Sequence, residues 1–191
     1  MPDPNRDALL DTLASRIAEA LLAEGAARLV FICTHNSRRS HLAQIWAQAA
    51  AWERGLDGVT TYSAGTEATA FHPNAVAALR RAGLDIPEPP ASDNPVYHVR
   101  IDSAHPPISC FSKRFDDASI PQEPFIAVMV CDHAAEHCPV IPSAMHRVPL
   151  PYRDPKESDG TPEESATYDE RSGQIRGEMQ RLLDKIQDSL R

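Results

Sequence analysis

Apolar and polar residues are distributed along the chain in a pattern that predicts four buried strands. Residues 29–33 begin with a short apolar run that has β-branched and aromatic members, and residues 125–131 form a longer run, Phe-Ile-Ala-Val-Met-Val-Cys. Residues 59–63 and 146–150 are shorter segments of the same kind. Runs of this length that are bounded by polar or turn residues are typical of strands covered on both faces of a sheet.

Apolar residues at helical spacing predict four helices around these strands. The first helix ends near Gly25, and the second covers about residues 40–54. The third covers residues 73–82, between a proline suited to a first helical position and a closing glycine. The last begins with Thr-Pro-x-Glu at residues 161–164, which is typical of a capping box, and runs to the C-terminus. The apolar stripe of the first helix consists of Leu9, Leu13, Ile17 and Leu21.

The alternation of strands and helices predicts one α/β domain with a parallel sheet. A chain of 191 residues is long enough for one core and too short for two comfortable domains. We expect residues 1–27 to form an N-terminal helical extension, which either packs on the core or mediates association, and residues 28–191 to form the domain. Residues 87–124 are rich in proline, yet residues 96–101 and 108–111 alternate like short strands. This pattern predicts an inserted β-hairpin that packs on the sheet or forms a binding arm.

Charge and composition restrict the classes of partner. A net charge of −8 opposes binding to nucleic acid, which needs a basic surface. The chain has neither an apolar run of the roughly 18 residues needed for a membrane helix nor a basic-then-apolar leader, so we expect a cytoplasmic protein without a membrane partner. Four cysteines in such a protein indicate catalysis, redox chemistry or metal binding more than a disulfide framework.

The strongest candidate for chemistry is the loop between the first strand and the second helix. Cys33 ends the strand, and Arg39 and Ser40 begin the helix. Backbone N–H groups of such a loop and the helix dipole stabilise an anion and favour a thiolate at Cys33. The Arg39 guanidinium offers a fork of donors that matches two oxygens of phosphate or arsenate. The residues that we expect to surround a bound oxyanion are Thr34, His35, Asn36, Ser37, Arg38 and Ser40.

The sequence Cys-x5-Arg-Ser after a hydrophobic strand resembles the signature of low-molecular-weight protein tyrosine phosphatases and of the thioredoxin-coupled arsenate reductases that share their fold. The turn at Ser63-Ala64-Gly65 and the helix start at Pro73-Asn74 are similar to the same family. The resemblance implies a four-stranded parallel sheet with helices on both faces. It also implies that Cys33 is the nucleophile and that arsenate or phosphate is the bound oxyanion, with no cofactor.

A second motif, Cys-Asp-x-Ala-x3-Cys-Pro at residues 131–139, resembles the reductase branch. The resemblance implies that Cys131 attacks the adduct of Cys33 and arsenate, that Cys138 resolves the resulting disulfide, and that thioredoxin reduces the last one. Such a relay needs one mobile cysteine. Two other interpretations stay open. The cysteines are a buried apolar residue and a loop thiol, or they form a metal site together with two neighbouring histidines, His133 and His137.

Asp154, followed by proline, resembles the family's general acid, which protonates a leaving oxygen. Four positions depart from the family pattern. His35 stands where glycine is general, and Arg38 stands where a cysteine or another small residue is frequent. Gln44 replaces a glutamate that helps to hold potassium in some reductases, and Lys156 follows Asp154-Pro155 where phosphatases often carry tyrosines.

Three functions therefore compete. The first is an arsenate reductase that uses Cys33, Cys131 and Cys138, with thioredoxin as its reductant. The second is a hydrolase of phosphoproteins or small phosphomonoesters that forms a cysteinyl-phosphate and uses Asp154 as its acid. The third is a protein that binds an oxyanion or a metal without catalysis.

Overall fold

The computed structural model describes residues 4–131, 141 and 143–191 of the chain. In chain order the strands within them are β1 (Ala27–Cys33), β2 (Val59–Gly65), β3 (Tyr97–Val99), β4 (Ile108–Cys110), β5 (Phe125–Met129) and β6 (Ala144–Pro149). The helices are α1 (Pro4–Glu24), α2 (Arg39–Glu53), α3 (Pro73–Arg81) and α4 (Glu164–Ser189), with a short 3-10 helix at Pro155–Ser158. None of these helices is both long and apolar enough to span a membrane.

Four strands form a parallel sheet in the order β2-β1-β5-β6 among the described residues, which confirms the predicted fold class. The first strand β1 is central, with β2 on one side and β5 on the other. The strand order therefore reverses beside β1. In open α/β sheets, ligands bind outside the carboxyl ends of the strands at such a point. Cys33 is the last residue of β1 and lies at that edge.

The helices pack against the sheet and one another through their apolar faces. In α1 two residues of the predicted stripe, Leu13 and Ile17, are buried in the core, and Leu9 and Leu21 pack against it partly buried. Leu10, beside the stripe, is also buried, and Gly25 follows the helix with φ +69°. This helix contacts α4, β1 and β6, so it is part of the packed structure. At α3, His72 is the N-cap and Pro73 is the first residue, in agreement with the predicted start.

The start of α4 differs from the sequence prediction. The helix begins at Glu164, and its N-cap, Glu163, makes no side-chain capping bond. The Thr161 hydroxyl, which the predicted capping box would use, donates instead to the Ser158 carbonyl at 2.8 Å. Glu164 nevertheless reaches back and accepts a bond from Gly160 N at 2.7 Å. The Thr161 hydroxyl therefore bonds the end of the preceding 3-10 helix and does not make the α4 cap that the sequence predicted.

The proline-rich stretch carries the predicted hairpin strands, since β3 and β4 pair antiparallel. The Asp85 and Arg100 backbones form a bridge at its base. In the connection between β3 and β4, the His105 ring stacks on Trp52 of α2, with centroids 4.2 Å apart and planes 5° apart. The insert thus lies against the domain through both backbone and ring contacts.

Candidate functional site

The nucleophile candidate lies below a small cleft at the carboxyl edge of the sheet. The Cys33 side chain is only 4% exposed, and its Sγ lies 3.0 Å from Ser40 Oγ. Asn36 Nδ2 donates to the same Ser40 oxygen at 2.8 Å. Either atom can donate in the contact between Cys33 and Ser40, but a Cys33 thiolate has no hydrogen, so toward a thiolate the Ser40 hydroxyl is the donor. A hydroxyl in this position stabilises a thiolate and helps it to leave.

The loop carbonyls after Cys33 accept hydrogen bonds from the protein around the loop. The Cys33 carbonyl accepts from Thr66 N at 3.2 Å, and the Thr34 carbonyl accepts from Glu67 N at 2.8 Å. The Ser37 carbonyl accepts from His72 N at 2.9 Å. In a planar trans peptide the N–H points opposite to the C=O. The N–H groups that follow these carbonyls therefore point toward the inside of the loop, which is the geometry of an anion-binding nest.

Asn36 fixes the shape of this loop. Its φ is +44°, in the left-handed region that asparagine tolerates better than most residues, and its side chain is buried. While its amide nitrogen binds Ser40, its Oδ1 accepts a bond from Lys113 N at 2.9 Å. The side chain thereby joins the loop, the nucleophile's neighbour and the insert.

Gly65 allows β2 to approach the loop closely. A Cβ at this position would lie 2.4 Å from the Glu67 carbonyl oxygen, 2.7 Å from Asn36 N and 2.7 Å from the Thr34 carbonyl oxygen. Real Cβ atoms do not occupy such positions, and the nearby atoms are backbone. The Ser-Ala-Gly turn noted in the sequence is therefore a packing requirement of the loop.

The insert braces the loop from the other side. Ser112 Oγ donates to the His35 carbonyl at 2.9 Å and accepts a bond from Thr69 N at 2.8 Å. Asn94 holds the Ser112 backbone by two bonds, of 2.7 Å and 3.0 Å. Sequence reasoning did not find these residues, because nothing local to Ser112 indicates that it lies below a loop 77 positions earlier.

Arg39 connects the loop to the acid candidate. Its guanidinium donates to the Tyr152 carbonyl at 2.8 Å and to Asp154 Oδ2 at 2.6 Å. The other Asp154 oxygen accepts from Lys156 N, which makes Asp154 the N-cap of the 3-10 helix. The structure thus brings Arg39 and Asp154 together beside Cys33, as the family pattern implies.

Arg38 points to a different set of partners. Its Nε donates to Tyr168 OH at 2.6 Å, and its terminal nitrogen donates to Asp159 Oδ2 at 2.9 Å. Tyr168 OH donates to Asp159 Oδ1 at 2.7 Å. Burial and the bond to Asp159 raise the pKa of Tyr168 to about 12, so its hydroxyl stays a donor at neutral pH. Burial opposes the ionisation of Asp159, but the Tyr168 bond and the Arg38 charge outweigh it and lower its pKa.

His35 stands at the mouth of the cleft, with half of its side chain exposed. Its Nε2 lies 3.4 Å from Glu67 Oε2, so the imidazole is turned toward the surface. The Cβ that replaces the family's glycine is thus accommodated. The cleft brings together seven of the predicted site residues: Cys33, Thr34, His35, Ser37, Arg38, Arg39 and Asp154.

Cys131 follows β5 and is buried beside the same loop. Its Sγ lies 3.6 Å from Thr34 Oγ1, the hydroxyl of the residue after the nucleophile. Cys138 and the two histidines of the alternative metal site lie outside the described residues. Among those that are described, no three His, Cys, Asp or Glu side chains form a group able to hold a metal ion.

Two further titratable groups are buried below the loop. Burial raises the pKa of Cys110 to about 12, which keeps it a thiol and indicates a structural role. Burial, together with the charge of Lys113, holds the pKa of His41 well below its usual value. His41 is therefore neutral, stacked on Phe71 with centroids 4.1 Å apart and with its Nδ1 3.1 Å from Ser63 Oγ.

The chain is similar in sequence to one known protein family and to arsenate reductases of two bacteria. Residues 28–95 match the family described as low molecular weight phosphotyrosine protein phosphatase. An arsenate reductase of Halalkalibacterium halodurans is 34% identical over 136 residues, which cover 71% of this chain and 79% of the relative. One of Bacillus licheniformis is 32% identical over 143 residues, covering 75% and 84%.

Solved structures agree on the fold. A low molecular weight phosphotyrosine phosphatase from Vibrio cholerae superposes with a TM-score of 0.55 at 15% identity, covering 85% of this chain and 98% of the other. An arsenate reductase solved in its phosphate-binding state gives a TM-score of 0.52 at 17% identity, covering 84% and 98%.

Fold and site together define an α/β protein with a cysteine-centred oxyanion loop at the edge of a parallel sheet. The chain belongs to the low-molecular-weight phosphotyrosine phosphatase family, and the curated relatives described above are arsenate reductases.

Proposed function

We propose that this protein is a thiol-dependent arsenate reductase. In the first step the Cys33 thiolate attacks arsenic, an As–O bond breaks, and Asp154 gives its proton to the departing oxygen, which leaves as water. Arg39 and the inward N–H groups of residues 34–38 hold the remaining oxygens. Ser40 stabilises the thiolate before the attack.

The reduction itself is a thiol exchange. The Cys131 thiolate attacks the Cys33 sulfur, the S–As bond breaks, and its electron pair reduces arsenic(V) to arsenic(III), which leaves as arsenite. Cys138 then attacks Cys131 and releases the Cys33 thiolate. A dithiol protein of the thioredoxin class reduces the Cys131–Cys138 disulfide. Because these thiols must be returned to their reduced form, we place the reaction in the cytoplasm.

The observation that carries this proposal is the 3.6 Å separation between Cys131 Sγ and Thr34 Oγ1. It puts a second thiol next to the residue that follows the nucleophile, at the neighbouring strand end. A phosphatase mechanism has no use for a thiol in that position. The relatives named arsenate reductase support the same choice.

Arsenate turnover with thioredoxin, thioredoxin reductase and NADPH tests the relay. We expect Cys33→Ser and Cys131→Ser to release no arsenite. Cys138→Ser is expected to release about one arsenite per chain, to stop, and to accumulate a Cys33–Cys131 disulfide that mass spectrometry identifies. Cys110→Ser is the matched control, because Cys110 is buried with a raised pKa and should leave turnover unchanged. Continued turnover by Cys138→Ser would overturn the relay.

A second function is supported by the bond between Arg39 and Asp154, because it keeps a carboxyl group in the same cleft as Cys33. In this case Cys33 attacks phosphorus, the bond to the ester oxygen breaks with the Asp154 proton, and water hydrolyses the cysteinyl-phosphate. The substrate would be a phosphoprotein or a small phosphomonoester. Aryl phosphate hydrolysis that survives Cys131→Ser but not Cys33→Ser, without arsenate turnover, would support it. Oxyanion or metal binding without either activity would indicate a binding protein.

A further inference from the structure

Two adjacent arginines hold the two ends of one short helix. Asp154 is the N-cap of the 3-10 helix Pro155–Ser158, and Asp159 is its C-cap. Arg39 binds the first of these carboxylates at 2.6 Å, and Arg38 binds the second at 2.9 Å. Residues 154–159, the acid segment, are therefore bound at both ends to residues 33–39, the anion loop.

The two fastenings differ in their surroundings. Arg38, Asp159 and Tyr168 form a closed triangle in which each residue hydrogen-bonds the other two. The Arg38 side chain is only 12% exposed, and Tyr168 is fully buried in α4. The His72 ring, at the start of α3, stacks on Tyr168 with centroids 5.8 Å apart. This fastening is thus anchored to two helices.

The Arg39 fastening has to open during the reaction. A bound oxyanion draws the Arg39 guanidinium to its own oxygens, and Asp154 must be protonated to act as an acid, which ends the ion pair. At that moment the N-terminal end of the 3-10 helix loses its charged partner. The Arg38 guanidinium is bonded to Asp159 and Tyr168, and proton transfer from Asp154 removes neither of these partners.

We propose that Arg38, through Asp159 and Tyr168, is the positioning residue that keeps Asp154 over the anion loop while Arg39 holds the oxyanion. This inference rests on the proposed oxyanion chemistry at Cys33, and it applies to either reaction. It gives a role to the arginine that stands where a small residue is frequent in the family. Arg38 acts here through the acid segment and not as a second ligand of the anion.

Leaving-group dependence of aryl phosphate hydrolysis tests the positioning role. We compare phenyl phosphate, whose leaving oxygen needs a proton, with para-nitrophenyl phosphate, whose leaving group departs readily without one. A positioned acid contributes on the order of a hundredfold or more. We therefore expect Arg38→Gln and Tyr168→Phe to lose about tenfold or more in kcat/KM on phenyl phosphate and less than about threefold on the nitrophenyl ester. Asp154→Asn should show the same selectivity.

Arg81→Gln is the matched control. Arg81 binds Asp169 through two nitrogens at the surface, and it links α3 to α4 without touching the acid segment. The Arg81→Gln variant should hydrolyse both esters as fast as wild type does, or both of them more slowly by the same factor. Equal losses by Arg38→Gln on both esters would indicate a merely structural role and overturn the proposal.

Hydrogen exchange separates a failure of this inference from a failure of the proposed function. With inorganic phosphate bound, Arg38→Gln should exchange the amides of residues 156–160 at least about tenfold faster than wild type and Arg81→Gln. If Arg38→Gln does not change the amide exchange of this segment, the proposed role of Arg38 is wrong, even in an active enzyme. If wild type turns over neither arsenate nor phosphate esters, the proposed function fails, and the exchange comparison still decides whether Arg38 holds the segment.

Discussion

Gly65 is the residue on which the anion loop depends most directly for space. Replacement by alanine would force a Cβ to within 2.4–2.7 Å of three backbone atoms. We expect Gly65→Ala to lower the free energy of unfolding by at least about 2 kcal/mol and to abolish oxyanion binding, because the loop backbone must move. Urea unfolding and phosphate titration measure the two effects.

The α4 glycines provide the control for this substitution. A Cβ on Gly173 or Gly177 would meet no atom within 4 Å. Alanine in a helix interior is better than glycine by up to about 1 kcal/mol, so Gly173→Ala should be neutral or stabilising. A Gly65→Ala protein as stable as Gly173→Ala would contradict the close approach of β2 to the loop.

His41 makes stability depend on pH. Its pKa is held well below the usual value near 6.5, because it is buried and lies near the Lys113 charge. Below that pH the unfolded chain binds a proton that the folded chain does not bind, so stability falls as the pH falls. One such group gives a slope of up to about 1.4 kcal/mol per pH unit.

Substitution isolates this contribution. His41→Phe should flatten the decline in unfolding free energy between about pH 6.5 and pH 5, whereas the exposed His98→Asn should keep it. His72, whose pKa burial also lowers, adds a smaller slope of the same sign in all three proteins. Parallel curves for wild type and His41→Phe would show that His41 is not the titrating group. Urea unfolding at several pH values measures the slopes.

At the scale of elements, the insert supports the candidate oxyanion loop through Ser112. Ser112 is 2% exposed and bridges the His35 carbonyl to Thr69 N. Ser112→Ala should weaken phosphate binding by about tenfold, since one lost buried hydrogen bond costs about 1 kcal/mol or more. Calorimetric titration measures it. Ser109→Ala, on the exposed side of the same hairpin, should bind phosphate as wild type does, and an equal loss in both variants would argue against a specific brace.

The N-terminal helix is fastened by a buried ion pair. Arg6 donates to Glu178 Oε2 at 2.8 Å and to the Pro151 carbonyl at 2.6 Å, and Glu178 is 5% exposed. Removing the arginine leaves a carboxylate buried without its charge partner. We expect Arg6→Ala to cost roughly 3–5 kcal/mol of unfolding free energy.

Arg16 is the comparison within the same helix. It pairs with Glu19 at 2.9 Å on the surface, where both side chains are about half exposed. Such a pair contributes at most about 1 kcal/mol, so Arg16→Ala should be close to wild type in urea unfolding. If both substitutions cost the same, α1 would not be held by its buried pair.

For the whole molecule, the sequence predicted correctly most of those elements that depend on contacts between residues close together in the chain. The apolar run before Cys33, the helix start at Arg39 and the proline at the start of α3 specified the strand, loop and helices that form the sheet edge. The alternation of strands and helices predicted the parallel sheet, and the family resemblance implied its four-stranded form. The N-cap of α4 is Glu163, two residues after the predicted Thr161, because the Thr161 hydroxyl donates to the Ser158 carbonyl and does not cap the helix.

The rest depends on contacts between distant parts of the chain. The partners of Arg38 lie 121 and 130 positions away, and Ser112 lies 77 positions from the carbonyl that it binds. No spacing in the sequence encodes such pairs, since the fold alone brings them together. The positions where the loop departs from its family therefore needed the structure to be explained.

The contact between Trp52 and His105 allows the packing of the insert against α2 to be followed by tryptophan fluorescence. An imidazole stacked on an indole quenches its emission, and the two ring planes are nearly parallel with their centroids 4.2 Å apart. The other tryptophan, Trp46, is buried, with its indole nitrogen bonded to Ser172. In a Trp46→Phe protein, fluorescence should therefore rise when the insert lifts, at lower urea than the loss of circular dichroism. Coincident transitions would mean that the insert unfolds with the domain.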